Sequence, residues 1–167
     1  MPSASLTSER VLTLLAETPT RLAALAADLA PARLRTAPDP DAWSANEVLA
    51  HLRACADVWG GCIAAILAED RPTLRGMDPR KWMKQTDYLD LEFQSSLRTF
   101  TRQRAELLAV LELLPREGWA RTATVLAWGQ SYERTVLDYL QRLARHERPH
   151  VKQIERLVKG SMSKGGK

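Results

Sequence analysis

His146-Glu147-Arg148-Pro149-His150 holds two of the chain's three histidines. Residues four apart lie on one face of an α-helix, close enough to share an ion. The apolar positions around them, Val136, Tyr139, Leu140, Leu143, Val151, Ile154 and Leu157, form one helical stripe, and both histidines fall on or beside it. The third histidine, His51, lies in Ser44-Ala45-Asn46-Glu47-Val48-Leu49-Ala50-His51-Leu52. Its helix face is Val48, Leu52, Cys55, Trp59, Ile63 and Ile66, so His51 also points inward. Inward-facing histidines at ligand spacing predict a fold that brings three imidazoles to one metal ion; the alternative is three unrelated core histidines with ordinary partners.

Outward from these stretches, 167 residues suffice for one domain with a real core. The domain is expected to span 1–158, with 159–167 a disordered basic tail. Leu, Ala and Arg dominate and β-branched residues are sparse, which favours helix. The net charge is +4, but Lys159 to Lys167 carries three lysines and no acid, leaving 21 basic against 20 acidic residues. A nearly neutral folded part argues against a nucleic-acid groove. Cys55 and Cys62 are seven apart on one helix, roughly 10 Å along its axis and too far for a disulfide. Free thiols suit a reducing cytoplasm. The first residues lack a signal-peptide pattern, and no window approaches a transmembrane span, so no membrane association is expected.

The 3.6-residue spacing of apolar positions predicts four helices, near 6–30, 44–68, 90–114 and 132–158. The first is interrupted near Pro19, with Thr18 as a candidate N-cap, and Pro31 ends it. Ser44-Ala45-Asn46-Glu47 is a capping box that opens the second. Ser131 is the candidate cap of the fourth, and Gly160 its stop. Residues 115–130 read as irregular, and no strand pattern stands out. The expectation is therefore an all-α four-helix bundle, against which a sheet of three or more strands would count. Such bundles hold metals between facing helices. The long segments 69–89 and 115–131, with Trp82, Trp119, Trp128 and several arginines, are expected to shape the mouth of the site.

His146-Glu147-x-x-His150 also matches the zinc-peptidase helix H-E-x-x-H. Only 17 residues follow His150, with no further histidine and only Glu155 as an acid, and Pro149 sits inside the motif, so the peptidase reading is set aside. Trp43-Ser44-Ala45-Asn46-Glu47-Val48-Leu49-Ala50-His51-Leu52, with its W-S-x-x-E-V-x-x-H-L pattern, resembles the DinB-like family of damage-inducible bacterial proteins, also described as YfiT-like metal-dependent hydrolases. Arg71-Pro72-Thr73-Leu74 resembles the family's loop after the second helix. His146 to Ile154 is similar to its last-helix signature, H-x-x-x-H-x-x-Q-I, with Pro149 a departure. The resemblance covers nearly the whole chain.

By that resemblance the bundle runs up-down-down-up, and His51, His146 and His150 bind one divalent metal, zinc or nickel, with water completing the shell. Some relatives transfer a low-molecular-weight thiol such as bacillithiol; the family also implies hydrolases and a homodimer, to which five tryptophans in a small chain add support. Three neutral imidazoles and an open position suit metal-dependent thiol transfer or hydrolysis on a small molecule. A non-catalytic bundle acting through oligomerisation is the alternative. Glu147 is the candidate catalytic base, or it orients a histidine, or it is a solvated helix residue. Cys55 reads as a small core residue rather than a fourth ligand, and Cys55→Ala is expected to spare metal binding. Trp43 and Tyr139 read as core packing. Arg104, polar on an inner face, is either a buried ion pair or a pocket cation.

Overall fold

A computed structural model of the protein describes residues 4–163. Thr7 caps the first helix, its hydroxyl accepting from Arg10 N, and α1 runs over Ser8–Ala26. Pro19 lies inside α1 without ending it, and Thr18 is not a cap: its buried hydroxyl donates to the Leu14 carbonyl one turn back. Pro31 opens a short α2, Pro31–Arg35, at the position where a missing N–H costs nothing. Ser44 and Glu47 form the expected capping box on α3, Ala45–Ala68.

The long segment that follows is structured. It holds β1 (Thr73–Arg75) and α4 (Pro79–Lys84, capped by Asp78), and leads into α5, Phe93–Glu112. A further turn, α6 (Arg116–Trp119), precedes the hairpin β2 (Thr122–Ala127) and β3 (Gln130–Thr135). The last helix, α7, spans Val136–Ser163 and passes through Pro149 and Gly160. Gly160 therefore does not stop it, and of the tail expected to be disordered only 164–167 lie outside the described residues.

The four long helices make the bundle. Arg53 reaches Ser96, and Gln103 reaches Asp57, so α3 and α5 run parallel. Arg104 reaches the Leu15 carbonyl and Gln94 that of Ala26, so α1 and α5 run antiparallel. His51 meets His146 where α3 crosses α7, and Gln141 of α7 ties to Ser5 and Leu6 at the start of α1. The directions are up-down-down-up, and α1 neighbours α5 and α7 rather than α3. Parallel α3 and α5 need a connection that travels the length of the bundle, which accounts for the long 69–92 segment.

The expectation of no strands is corrected: a three-stranded sheet in the order β1-β2-β3 caps one end of the bundle. β1 pairs with β2 in parallel, Thr73 opposite Thr124, and β2 with β3 antiparallel, Ala127 opposite Gln130. Ala123 and Val125 turn inward onto Ile63, Ile66, Leu111 and Val136. The hairpin closes at Trp128-Gly129, both at positive φ, as a two-residue turn requires. The sheet covers the helix ends and leaves the helical core intact.

That core has two apolar clusters. One gathers Leu15, Ile63, Ile66, Leu111 and Leu140 near the sheet. The other gathers Leu22, Leu49, Leu52, Phe93, Phe100 and Ile154. Between them, along every long helix, lies a belt of buried polar side chains: His51, Arg104, Glu147 and their neighbours. By length and mean hydropathy (1.2), α3 is apolar enough to cross a membrane, contrary to expectation, but 61% of that window is buried within the bundle.

Ser131 lies in β3 and caps nothing. The start of α7 is instead capped by Thr135, whose hydroxyl accepts from Asp138 N while Asp138 accepts from Thr135 N. Thr135→Ala should therefore cost about 1 kcal/mol in chemical denaturation. Ser131→Ala should stay within about 0.5 kcal/mol of the parent.

Candidate metal centre

Each histidine is placed by its helix. The capping box fixes the first turn of α3, and the apolar stripe that follows turns His51 into the bundle, where it is 4% exposed. The stripe of α7 packs against α3 and α1, which sets His146 and His150, half-buried, on the side facing α3. The three ring centroids are mutually 4.6–5.1 Å apart. His51 Nε2 and His146 Nε2 stand 2.9 Å apart. His150 Nδ1 donates to Gln153 Oε1 at 2.9 Å, which leaves its Nε2 as the lone-pair nitrogen. His51 Nδ1 is buried with no hydrogen-bond partner among the described residues.

Burial is the largest influence on His51 and His146, followed by the neighbouring histidines, and it lowers both to about 4. Both are then neutral at physiological pH, the form in which an imidazole can ligate. Cys55 Sγ lies 3.6 Å from His51 Nε2. Its burial, and then the charge of Glu147, push the thiol up to about 12. Trp43 tilts against His51 with centroids 5.3 Å apart, and Trp59 meets His146 edge-on at 5.1 Å.

Glu147 is not a solvated helix residue. It is 2% exposed, and both carboxylate oxygens bind the Arg104 guanidinium, Oε2 at 3.0 Å from Nη1. Arg104 also donates to the Leu15 carbonyl, so of its two readings the buried ion pair holds. The solvated reading of Glu147 is corrected on this geometry: the residue next to His146 is held inside the bundle by Arg104 of α5. Tyr139 is core, 5% exposed.

The sequence reading gave Trp59 and Gln153 a place but no role at the site, and it missed Arg80. Gln153, three residues after His150, was visible as a helical neighbour able to orient the ring. Arg80 of α4 lies over the Trp43 ring at 5.4 Å and is near enough to bias both buried histidines towards neutrality. The 69–89 segment thus reaches the site. The 115–131 segment does not: Arg121 binds the carbonyls of Leu67 and Glu69, roughly 24 Å along α3 from His51, and Trp128 is 87% exposed.

Beside His146 a surface cavity of about 490 Å³ is lined by Arg134, Asp138, Gln141, Arg142 and Arg145. Arg142 also lies over the Trp59 ring at 5.4 Å.

The profile of the DinB superfamily matches residues 14–154, a span that includes all three histidines. The chain belongs to the DinB superfamily. Among solved structures, YfiT from Bacillus subtilis, described as a probable metal-dependent hydrolase with an unusual four-helix bundle topology, is similar at TM-score 0.77 and 19% identity, over 96% of this chain and 93% of that one. That likeness establishes the fold. Comparison with curated proteins finds no match. In this DinB-superfamily chain the donor set fits a divalent metal: imidazoles from two helices, one oriented by Gln153, with a thiol beside them.

Two outcomes follow for the metal-free protein. Below about 6.5 the unfolded chain charges His51 and His146, whereas the folded chain does so only near 4. Between these values the unfolded state binds more protons, so this stability is fully present above 6.5 and is lost as pH falls towards 4. Urea denaturation over that range should show a falling midpoint; a flat profile would contradict the placement. Glu147→Leu leaves Arg104 buried and unpaired, and should cost about 3–5 kcal/mol in the same assay.

Proposed function

We propose that this protein is a divalent-metal-dependent enzyme acting on a small molecule, as a thiol S-transferase or a hydrolase, with His51, His146 and His150 as metal ligands. The observation that carries the reading is the gathering of three imidazole rings from α3 and α7 within 4.6–5.1 Å. Zinc and nickel both suit imidazole ligands. The description of YfiT as a probable metal-dependent hydrolase supports the same class.

A bound dication supplies the charge that acidifies a thiol or a water at neutral pH. The chain's own residues do the rest. His51 forms the buried floor, and Gln153 holds the ring of His150. Trp43 and Trp59 flank the imidazoles and keep water from two sides. The cavity beside His146 sets three arginines against one aspartate, which favours an anionic partner. The carboxylates of a low-molecular-weight thiol such as bacillithiol would find bidentate donors there. Such thiol chemistry belongs in a reducing cytoplasm. Glu147, committed to Arg104, is given no part in proton transfer.

His150→Ala should abolish stoichiometric metal binding, as read by metal analysis of the purified protein. Turnover of a chlorinated aromatic acceptor with bacillithiol, mycothiol or glutathione should stop with chelator and in His51→Ala. Activity that survives both would refute the metal-dependent reading.

A further inference from the structure

The crossing of α3 and α7 holds one donor beyond the three imidazoles. Cys55 follows His51 by four residues, as His150 follows His146, so each helix turns two potential ligands to one side. Cys55 Sγ lies 3.6 Å from His51 Nε2, and the donor atoms of His51, Cys55 and His146 all lie within 4.8 Å of one another. Bonds of about 2.3 Å to sulfur and about 2.0–2.1 Å to nitrogen, at a tetrahedral angle, place the two donors about 3.5 Å apart. The observed separation has that length. The ring it faces is itself almost wholly buried.

We propose that Cys55 is a fourth metal ligand, so that His51, Cys55, His146 and His150 form a complete protein donor set. This rests on the three-imidazole metal reading above and deepens it. On ligation the thiol proton leaves to solvent and the sulfur lone pair takes the bond; no oxidant or reductant is needed. The thiolate removes one unit of the ion's double charge, which a buried site tolerates better than the full charge. It also makes access conditional. A four-donor set has no open position, so a substrate must expand the shell to five or displace Cys55. Cys55 then controls when the site accepts a ligand, and the packing role expected of it is secondary.

The test is X-ray absorption at the metal edge of the wild-type protein loaded with one equivalent of zinc. The expected shell has one sulfur at about 2.3 Å and nitrogens at about 2.0–2.1 Å. With cobalt(II) as the probe, a near-ultraviolet sulfur-to-metal band should appear in wild type and in Cys62→Ser. It should vanish in Cys55→Ser, while the visible bands of bound cobalt remain. Zinc affinity in Cys55→Ser should fall more than about 100-fold, beyond the loss typical of an outer-shell partner. A bound metal with a nitrogen-and-oxygen shell, or a sulfur band that persists in Cys55→Ser, overturns the assignment and leaves the three-imidazole site standing. A wild-type protein that takes up no metal overturns both.

Discussion

A buried imidazole needs a partner for each ring nitrogen, and the centre of this bundle does not supply them. His51 is 4% exposed; its Nδ1 has no partner among the described residues, and its Nε2 meets a second imidazole and the Cys55 sulfur. Burial keeps His51 and His146 neutral, so neither gains an ion pair in compensation. The atoms placed to share one acceptor are the Nε2 nitrogens of His51 and His146, 2.9 Å apart, with the Cys55 sulfur beside them. The packing of α3 against α7, the capping box that starts α3 and the crossover that makes α3 and α5 parallel all hold those rings together.

The polar belt has two halves with different chemistry. On one side of α7, Glu147 and Arg104 satisfy each other and the Leu15 carbonyl, which joins α1, α5 and α7. On the other side, the histidines satisfy one another incompletely. Adjacent residues on one helix, His146 and Glu147, therefore meet different partners, His51 of α3 and Arg104 of α5. The roughly 100° turn between neighbours in an α-helix makes that division possible.

Much of this was legible in the sequence, for identifiable reasons. The bounds of α3 follow from Ser44 and Glu47 and an uninterrupted apolar stripe, and the three histidines were marked by helical spacing. The hairpin was missed because Gln130 to Thr135 carries no apolar alternation and β2 has only Ala123 and Val125 as inward residues. With the hairpin went the start of α7: Thr135 and Asp138 cap it reciprocally, a box that Ser131 obscured. The surroundings of Glu147 were not legible, for one reason. Spacing gives the face of a helix, but not which neighbouring helix a side chain meets. No spacing in the sequence tells that Glu147 meets Arg104 of α5.

The central claim is that one divalent ion sits between α3 and α7. Anomalous diffraction from crystals grown with zinc or nickel tests it most directly. The account predicts one strong peak per chain at bonding distance, about 2.0–2.1 Å for zinc, from a ring nitrogen of each of His51, His146 and His150. A peak bound elsewhere, or an empty site in which His51 and His146 still share a hydrogen bond, would contradict it.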